Sequence, residues 1–475
     1  MPAEDFWQPV YNAFDPWKRL WGEKLDTFFV EREHSPLRPL TAQFRPGRDV
    51  QKTLLVGHRG SGKSSELLKL VRNIGEDFST VWFDANLNLN IFTANQVELL
   101  FLIGVAVYRV AEQEDLHPKK QNLDLLIDCL QTLVREQTQQ TDFVLDAGRL
   151  MTNVICFGLP AIIGATAGPA AGAGVAALTA LARELAQEAF SLGLRKEEVA
   201  HLEVEPRIWD IARAVNLIIA DVEQKAGKPV LMVVDGLDRL EPDPARDIFV
   251  NSQVLSLPNC RVIYVTPIAL YYSPDFAQTR QQFAMAEFPN VKLHERNTPG
   301  TLYKAGMKTM REVARRRLRA LGYEPEMVIT RNSLNLLAVM SGGVMREMVS
   351  LMREAIVQAE VAGETRITLR AARAAVYKLR RQYAAGLRWE NYQQLKAFWD
   401  TGTLPQGEIG NTFLRNNYIL IQANDTVWPE VHPNVRPLLE RISLRPPTCS
   451  QDSPAGNSGD RERRRRTWNL EPLRH

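Results

Sequence analysis

Four cysteines in 475 residues, Cys129, Cys156, Cys260 and Cys449, stand far apart and form no C-x-x-C pair. That spacing excludes a disulfide framework and a cysteine-based zinc site, and reduced thiols suit a cytoplasmic protein. Charge of one sign is also missing. The 58 Lys and Arg against 55 Asp and Glu leave a formal charge of +3, too little to imply a nucleic-acid partner without a local basic surface. Residues 1–21 are polar and aromatic, with no basic stretch running into an apolar one, so a secretory signal is not expected. Between Arg149 and Arg183 no charged residue occurs. Length there permits a bilayer span, but most of the run is Ala and Gly interrupted by Pro160 and Pro169, a weakly apolar and helix-breaking composition. Two readings stay open for 149–183: a flexible or core-packed insertion, or a segment that makes the protein membrane-associated.

With 45% apolar residues and this length, the chain has the makings of two or three packed domains. The most informative stretch is Thr53-Leu54-Leu55-Val56-Gly57-His58-Arg59-Gly60-Ser61-Gly62-Lys63-Ser64-Ser65. A buried strand passes into G-x-x-x-x-G-K-S, and Leu67, Leu70 and Val71 follow at helical spacing. Strand, glycine-rich loop and helix in that order make a phosphate-binding loop: backbone N–H groups converge on phosphate oxygens, and the helix N-terminus adds positive potential. Gly57, His58, Arg59, Gly60, Ser61, Gly62, Lys63, Ser64 and Ser65 are the expected nucleotide contacts. Lys63 would reach the β- and γ-phosphates of ATP, and the Ser64 hydroxyl would ligate Mg²⁺.

Downstream, Pro229-Val230-Leu231-Met232-Val233-Val234-Asp235 is a continuous apolar strand ending in a carboxylate. Such a strand is buried on both faces and can deliver Asp235 to the metal, as a Walker B acid does. Further strands are expected at 79–84, at 261–266 with Thr266 at the carboxyl end, and at 290–294. Helices are expected at 95–112, apolar on nearly every side, and at 123–136 and 205–225. This alternation predicts an α/β fold with a doubly wound parallel sheet. The expected domains are an N-terminal arm over 1–50, whose aromatics either contact a base or simply pack on the core, and a P-loop ATPase core over 51–300. A helical lid follows over 301–382, then a winged-helix-like domain over 383–442 built on a hairpin of 418–421 and 427–428. A disordered basic tail covers 443–475. Basic helices at 304–319 and 366–381 are either solvated faces or phosphate contacts, which leaves nucleic acid open as a partner.

Taken together, G-H-R-G-S-G-K-S-S-E-L, V-V-D-G-L-D-R-L, I-Y-V-T-P and Ser341-Gly342-Gly343-Val344-Met345-Arg346-Glu347 resemble bacterial ATPases at the border of two groups. These are the origin-recognition clade of AAA+ proteins and the STAND signalling ATPases. The resemblance implies an ATP-dependent switch or loader that forms homo-oligomers, with Thr266 at the sensor-1 position and Arg346 at the sensor-2 position. It also implies an arginine finger from a neighbouring subunit, for which Arg280 is a candidate. The sequence departs from active AAA+ enzymes at Gly236, where a Glu that positions water usually stands. Asp238 is the nearest carboxylate, and either replaces that Glu in catalysis or caps the next turn. The implied activity is slow ATP hydrolysis coupled to an effector output.

Overall fold

The structure is a computed structural model that describes residues 6–45, 50–137, 205–295, 301–423 and 427–440. The 149–183 stretch and the tail from 443 lie outside the described residues.

Five parallel strands form the central sheet: β1 (Lys52–Gly57), β2 (Ser79–Asp84), β3 (Val230–Asp235), β4 (Arg261–Thr266) and β5 (Ala284–Phe288), in the order β2-β3-β4-β1-β5. Every residue of β3 and β4 is buried. The cause is that both faces of the sheet are covered, so alternate residues enter different cores. Leu54, Val230, Met232 and Tyr264 pack on one side with helices Gln96–Gln113, Lys120–Gln137 and Glu205–Ala226. On the other side Leu55, Leu231, Val233 and Ile263 meet Leu67 and Leu70 of the loop helix Lys63–Ile74, together with Leu40 and Phe44. Helix Gln96–Gln113 is apolar on all sides because it is sandwiched. Its Gly104 lies so close to Leu126 and Val215 of the neighbouring helices that an added Cβ would stand 2.7 and 2.8 Å from them.

The last strand of the sheet is not 290–294, as the sequence suggests, but Ala284–Phe288, paired in parallel with β1. Val291 and Leu293 alternate for a different reason: both are buried in a second core with helices Lys304–Ala320, Arg331–Met340, Met345–Val361 and Leu369–Ala385. The arm contributes to this helical core too, through Trp7, Val10 and Phe14. Gly343 joins the two parts. It accepts a hydrogen bond from Val291 N at 3.1 Å, and a Cβ there would meet Val291 O at 1.9 Å.

The chain then runs through helices Trp389–Thr401 and Gly407–Arg415 into an antiparallel pair, β6 (Ile419–Ala423) and β7 (Val427–Val431). Two helices and this hairpin make up the part, the arrangement expected of the 383–442 segment. The described residues form a doubly wound parallel sheet followed by a helical lid and this smaller domain.

Candidate functional site

The phosphate loop sits where β1 ends and its helix begins, and Lys63 is the first residue of that helix. An ammonium has three N–H donors, and Lys63 uses all of them. Its Nζ donates to Gly57 O at 2.8 Å and His58 O at 2.9 Å, and pairs with Asp238 Oδ2 at 2.8 Å. Both partners of the ion pair are nearly enclosed, with side chains 5% and 11% exposed. Burial pushes the Asp238 carboxyl up, but Lys63, Arg59 and Arg239 outweigh it and hold it below its ordinary value. Asp238 lies in the short turn Leu237–Arg239 and accepts Arg59 Nε at its backbone oxygen, 3.2 Å away.

Asp235 closes β3 beside the loop. Burial raises its carboxyl above the ordinary value, with Arg19 and the Ser64 hydroxyl acting in the opposite sense. Its Oδ2 is buried with no hydrogen-bond partner among the described residues, and Arg19 Nη2 lies 3.3 Å away. A carboxylate oxygen in that condition beside a serine hydroxyl is a hard-oxygen donor pair that fits Mg²⁺, an ion that takes few protein ligands and keeps waters and phosphates for the rest. The described residues hold no group of three or more His, Cys, Asp or Glu placed for a metal.

One cavity gathers Gly60, Gly62, Lys63, Ser64, Ser65, Asp235, Asp238 and Arg346, with arm residues Trp17, Arg19, Phe28 and Val30 and lid residues Val313 and Val349 around it. Arg346 crosses from the lid to the loop: its N–H donates to Gly60 O at 3.0 Å, and its guanidinium lies 5.5 Å from the Trp17 ring. Burial lowers its pKa, with Asp238 and Asp235 opposing that effect. Neither carboxylate near it in sequence is its partner. Glu347 accepts from Tyr383 Oη and Glu354 from Lys378 Nζ. Thr266 is buried between the loop strand and β3, but its hydroxyl turns to Tyr264 O, and it does not line the cavity. Arg280 donates to Tyr271 O and stacks on that residue's ring, 4.6 Å from the centroid.

His58 points out of the cavity. Its Nε2 accepts from Ile421 N at 2.8 Å, so Nδ1 carries the proton and donates to Asn417 Oδ1 at 3.1 Å, while Asn417 Nδ2 reaches Arg59 O. Burial drives the imidazole pKa down to about 3. The hairpin is therefore fastened to the phosphate loop by a neutral histidine.

Three residues that motif reasoning passes over take part. Arg32 of the arm donates to Ser61 O at 2.7 Å, Pro289 O at 3.1 Å and Glu66 Oε1 at 3.1 Å, with its guanidinium 4.1 Å from the Phe288 ring. Arg19 pairs with Asp84 Oδ2 at 2.7 Å as well as with Asp235. Asp84 ends β2 in register with Asp235. The strand ending Trp82-Phe83-Asp84 has the same apolar-to-acid form as β3, and that was the available signal for Asp84; the two arginines carry none.

No family profile matches the chain, and no curated protein is similar to it. Solved structures similar to it include Cdc6p from Pyrobaculum aerophilum, at 11% identity over 90% of this chain and 96% of that one, with a TM-score of 0.35. The Aeropyrum pernix ORC2 protein is 11% identical over 90% and 96%, with a TM-score of 0.40. A Walker-type ATPase of Pyrococcus abyssi is 12% identical over 90% and 100%, with a TM-score of 0.42. At these values none of them lends a ligand or a residue role to this chain.

Proposed function

We propose that the chain is an ATP-dependent switch in which the phosphate loop is the part that both the lid and the hairpin read. The observation that carries this is the set of direct contacts on the loop: Arg346 N to Gly60 O, Ile421 N to His58 Nε2 and Asn417 Nδ2 to Arg59 O. A ligand shifts a conformational equilibrium only through different affinities for its two states, and phosphates seated in this loop would alter each of those contacts. Lys63 would exchange Asp238 for phosphate oxygens, and the Arg346 guanidinium would face the γ-phosphate. Mg²⁺, when bound at Ser64 and Asp235, would supply charge neutralisation. Of the two groups the sequence resembles, the STAND side suits the D-G-x-D form of residues 235–238. Slow turnover suits a site whose β3 strand ends in Gly236.

The DNA-loader reading draws less support. In helix Lys304–Ala320, Arg311, Arg315, Arg316, Arg317 and Arg319 each already engage a partner within the chain, and Arg317 is buried. As for membranes, no helix among the described residues is long and apolar enough to cross one.

The test is nucleotide binding by Lys63→Ala. The variant should lose binding of a fluorescent ATP analogue, and with it any ATP-induced change in protease sensitivity between core, lid and hairpin. A variant that still binds ATP as tightly as the parent refutes the site.

A further inference from the structure

We propose that Asp84 is the carboxylate that accepts the proton of the attacking water at this site, an assignment that rests on the ATP reading above. The place next to Asp235 is closed to any side chain from β3 itself. Gly236 has φ +91°, and a Cβ there would stand 2.1 Å from Asn86 Nδ2. Asn86 fills that space from the end of β2, and it also orients Asp84: its N and Nδ2 donate to Asp84 Oδ1 at 3.1 and 3.0 Å. With Oδ1 held in place, Oδ2 is the oxygen left for chemistry. It lies 2.7 Å from Arg19 Nη1, whose Nη2 reaches Asp235 Oδ2 at 3.3 Å. Register partners on adjacent parallel strands, the two carboxylates converge on one cation. Asp238, which lines the loop cavity, is the competing candidate; without nucleotide it is paired with Lys63.

Arg19 also explains why the site would be slow. It lines both the loop cavity and a neighbouring cavity that Asp84 and Trp82 share, and so forms the wall between the two carboxylates' surroundings. Asp235 Oδ2, given over to a metal ion, would release the guanidinium. With Arg19 withdrawn, Asp84 Oδ2 would open onto the space beside Asp235 that the guanidinium now fills. The water oxygen then bonds to the γ-phosphorus and the bridging P–O bond breaks, its electron pair staying on the ADP oxygen. The water proton passes to Asp84 and on to solvent, giving ADP and phosphate.

Asp84→Asn is the decisive variant, because Asn caps the following Ala85–Asn88 turn as well as Asp does and keeps an oxygen for Asn86. Single-turnover hydrolysis of labelled ATP should fall about a hundredfold or more. Affinities for the ATP analogue and for Mn²⁺, the latter read by electron paramagnetic resonance, should stay within about threefold. Arg19→Ala, which removes a partly exposed side chain, should instead raise the single-turnover rate. An Asp84→Asn rate like the parent's overturns the assignment, as does a matching loss of Mn²⁺ affinity, which would make Asp84 a metal ligand. A parent protein that binds ATP but never hydrolyses it also overturns it. A parent protein that binds no ATP refutes the nucleotide reading itself, and is told apart by the binding titration.

Discussion

Replacing Asp238 by Asn tests the ion pair at the centre of the site, and the structure gives its two effects opposite signs. Lys63 has no spare donor, so a phosphate oxygen must displace Asp238 or share its proton. A charge-assisted contact of this kind is worth roughly 1.5 to 3 kcal/mol, and a neutral amide oxygen keeps about half of that. The competing interaction therefore weakens by about 0.8 to 1.5 kcal/mol, and nucleotide should bind about four- to twelvefold more tightly. Without nucleotide, the same change leaves a buried ammonium with only two backbone carbonyls and a weakened third partner. Stability should then fall by roughly 1 to 3 kcal/mol. Anisotropy titration with a labelled ATP analogue reads the first effect, and urea unfolding without nucleotide reads the second. If the variant binds ATP no more tightly than the parent while its stability drops, Asp238 assists phosphate binding, and the competition argument is wrong. If neither quantity moves, the buried pair itself is refuted.

Two further outcomes follow from the loop's attachments. With its pKa lowered from 6.5 to about 3, folded His58 stays neutral while the unfolded chain takes up a proton below pH 6.5, so stability should fall as the pH drops from 6.5 toward 3. At about pH 5 the loss is about 2 kcal/mol, and urea unfolding at about pH 5 and 7.5 should show it in the parent but not in His58→Gln; equal pH slopes would refute the linkage. Gly343→Ala combines φ +78° with a Cβ 1.9 Å from Val291 O. It should cost at least about 1 to 2 kcal/mol and loosen the lid, read as faster proteolysis after residue 295; unchanged protection would mean that the turn relaxes freely.

How much of this was legible in the sequence depends on the range of the forces involved. The phosphate loop, its strand and helix, and the acid at the end of β3 were all readable, because backbone geometry and apolar periodicity are set by residues a few positions apart. Helix Gln96–Gln113 and the β6–β7 hairpin were legible for the same reason. The edge strand was not. Ala284-Met285-Ala286-Glu287-Phe288 is weakly patterned because only Ala286 and Phe288 are buried and apolar Met285 falls out of phase with them, whereas Val291 and Leu293 alternate to fill the lid core. Pattern alone cannot say which core an apolar residue enters. The site's finer chemistry came entirely from the fold. Arg32 meets Pro289 across 257 residues, Arg59 meets Asp238 across 179, and His58 meets Ile421 across 363. Motif reading proposes a phosphate partner for Lys63 but could not foresee Asp238. It proposes Asp235 as a metal ligand but could not see that Arg19 ties it to Asp84. Such pairings depend on burial, where a charge must find whichever opposite charge the packing brings within reach, and only the tertiary structure decides which one that is.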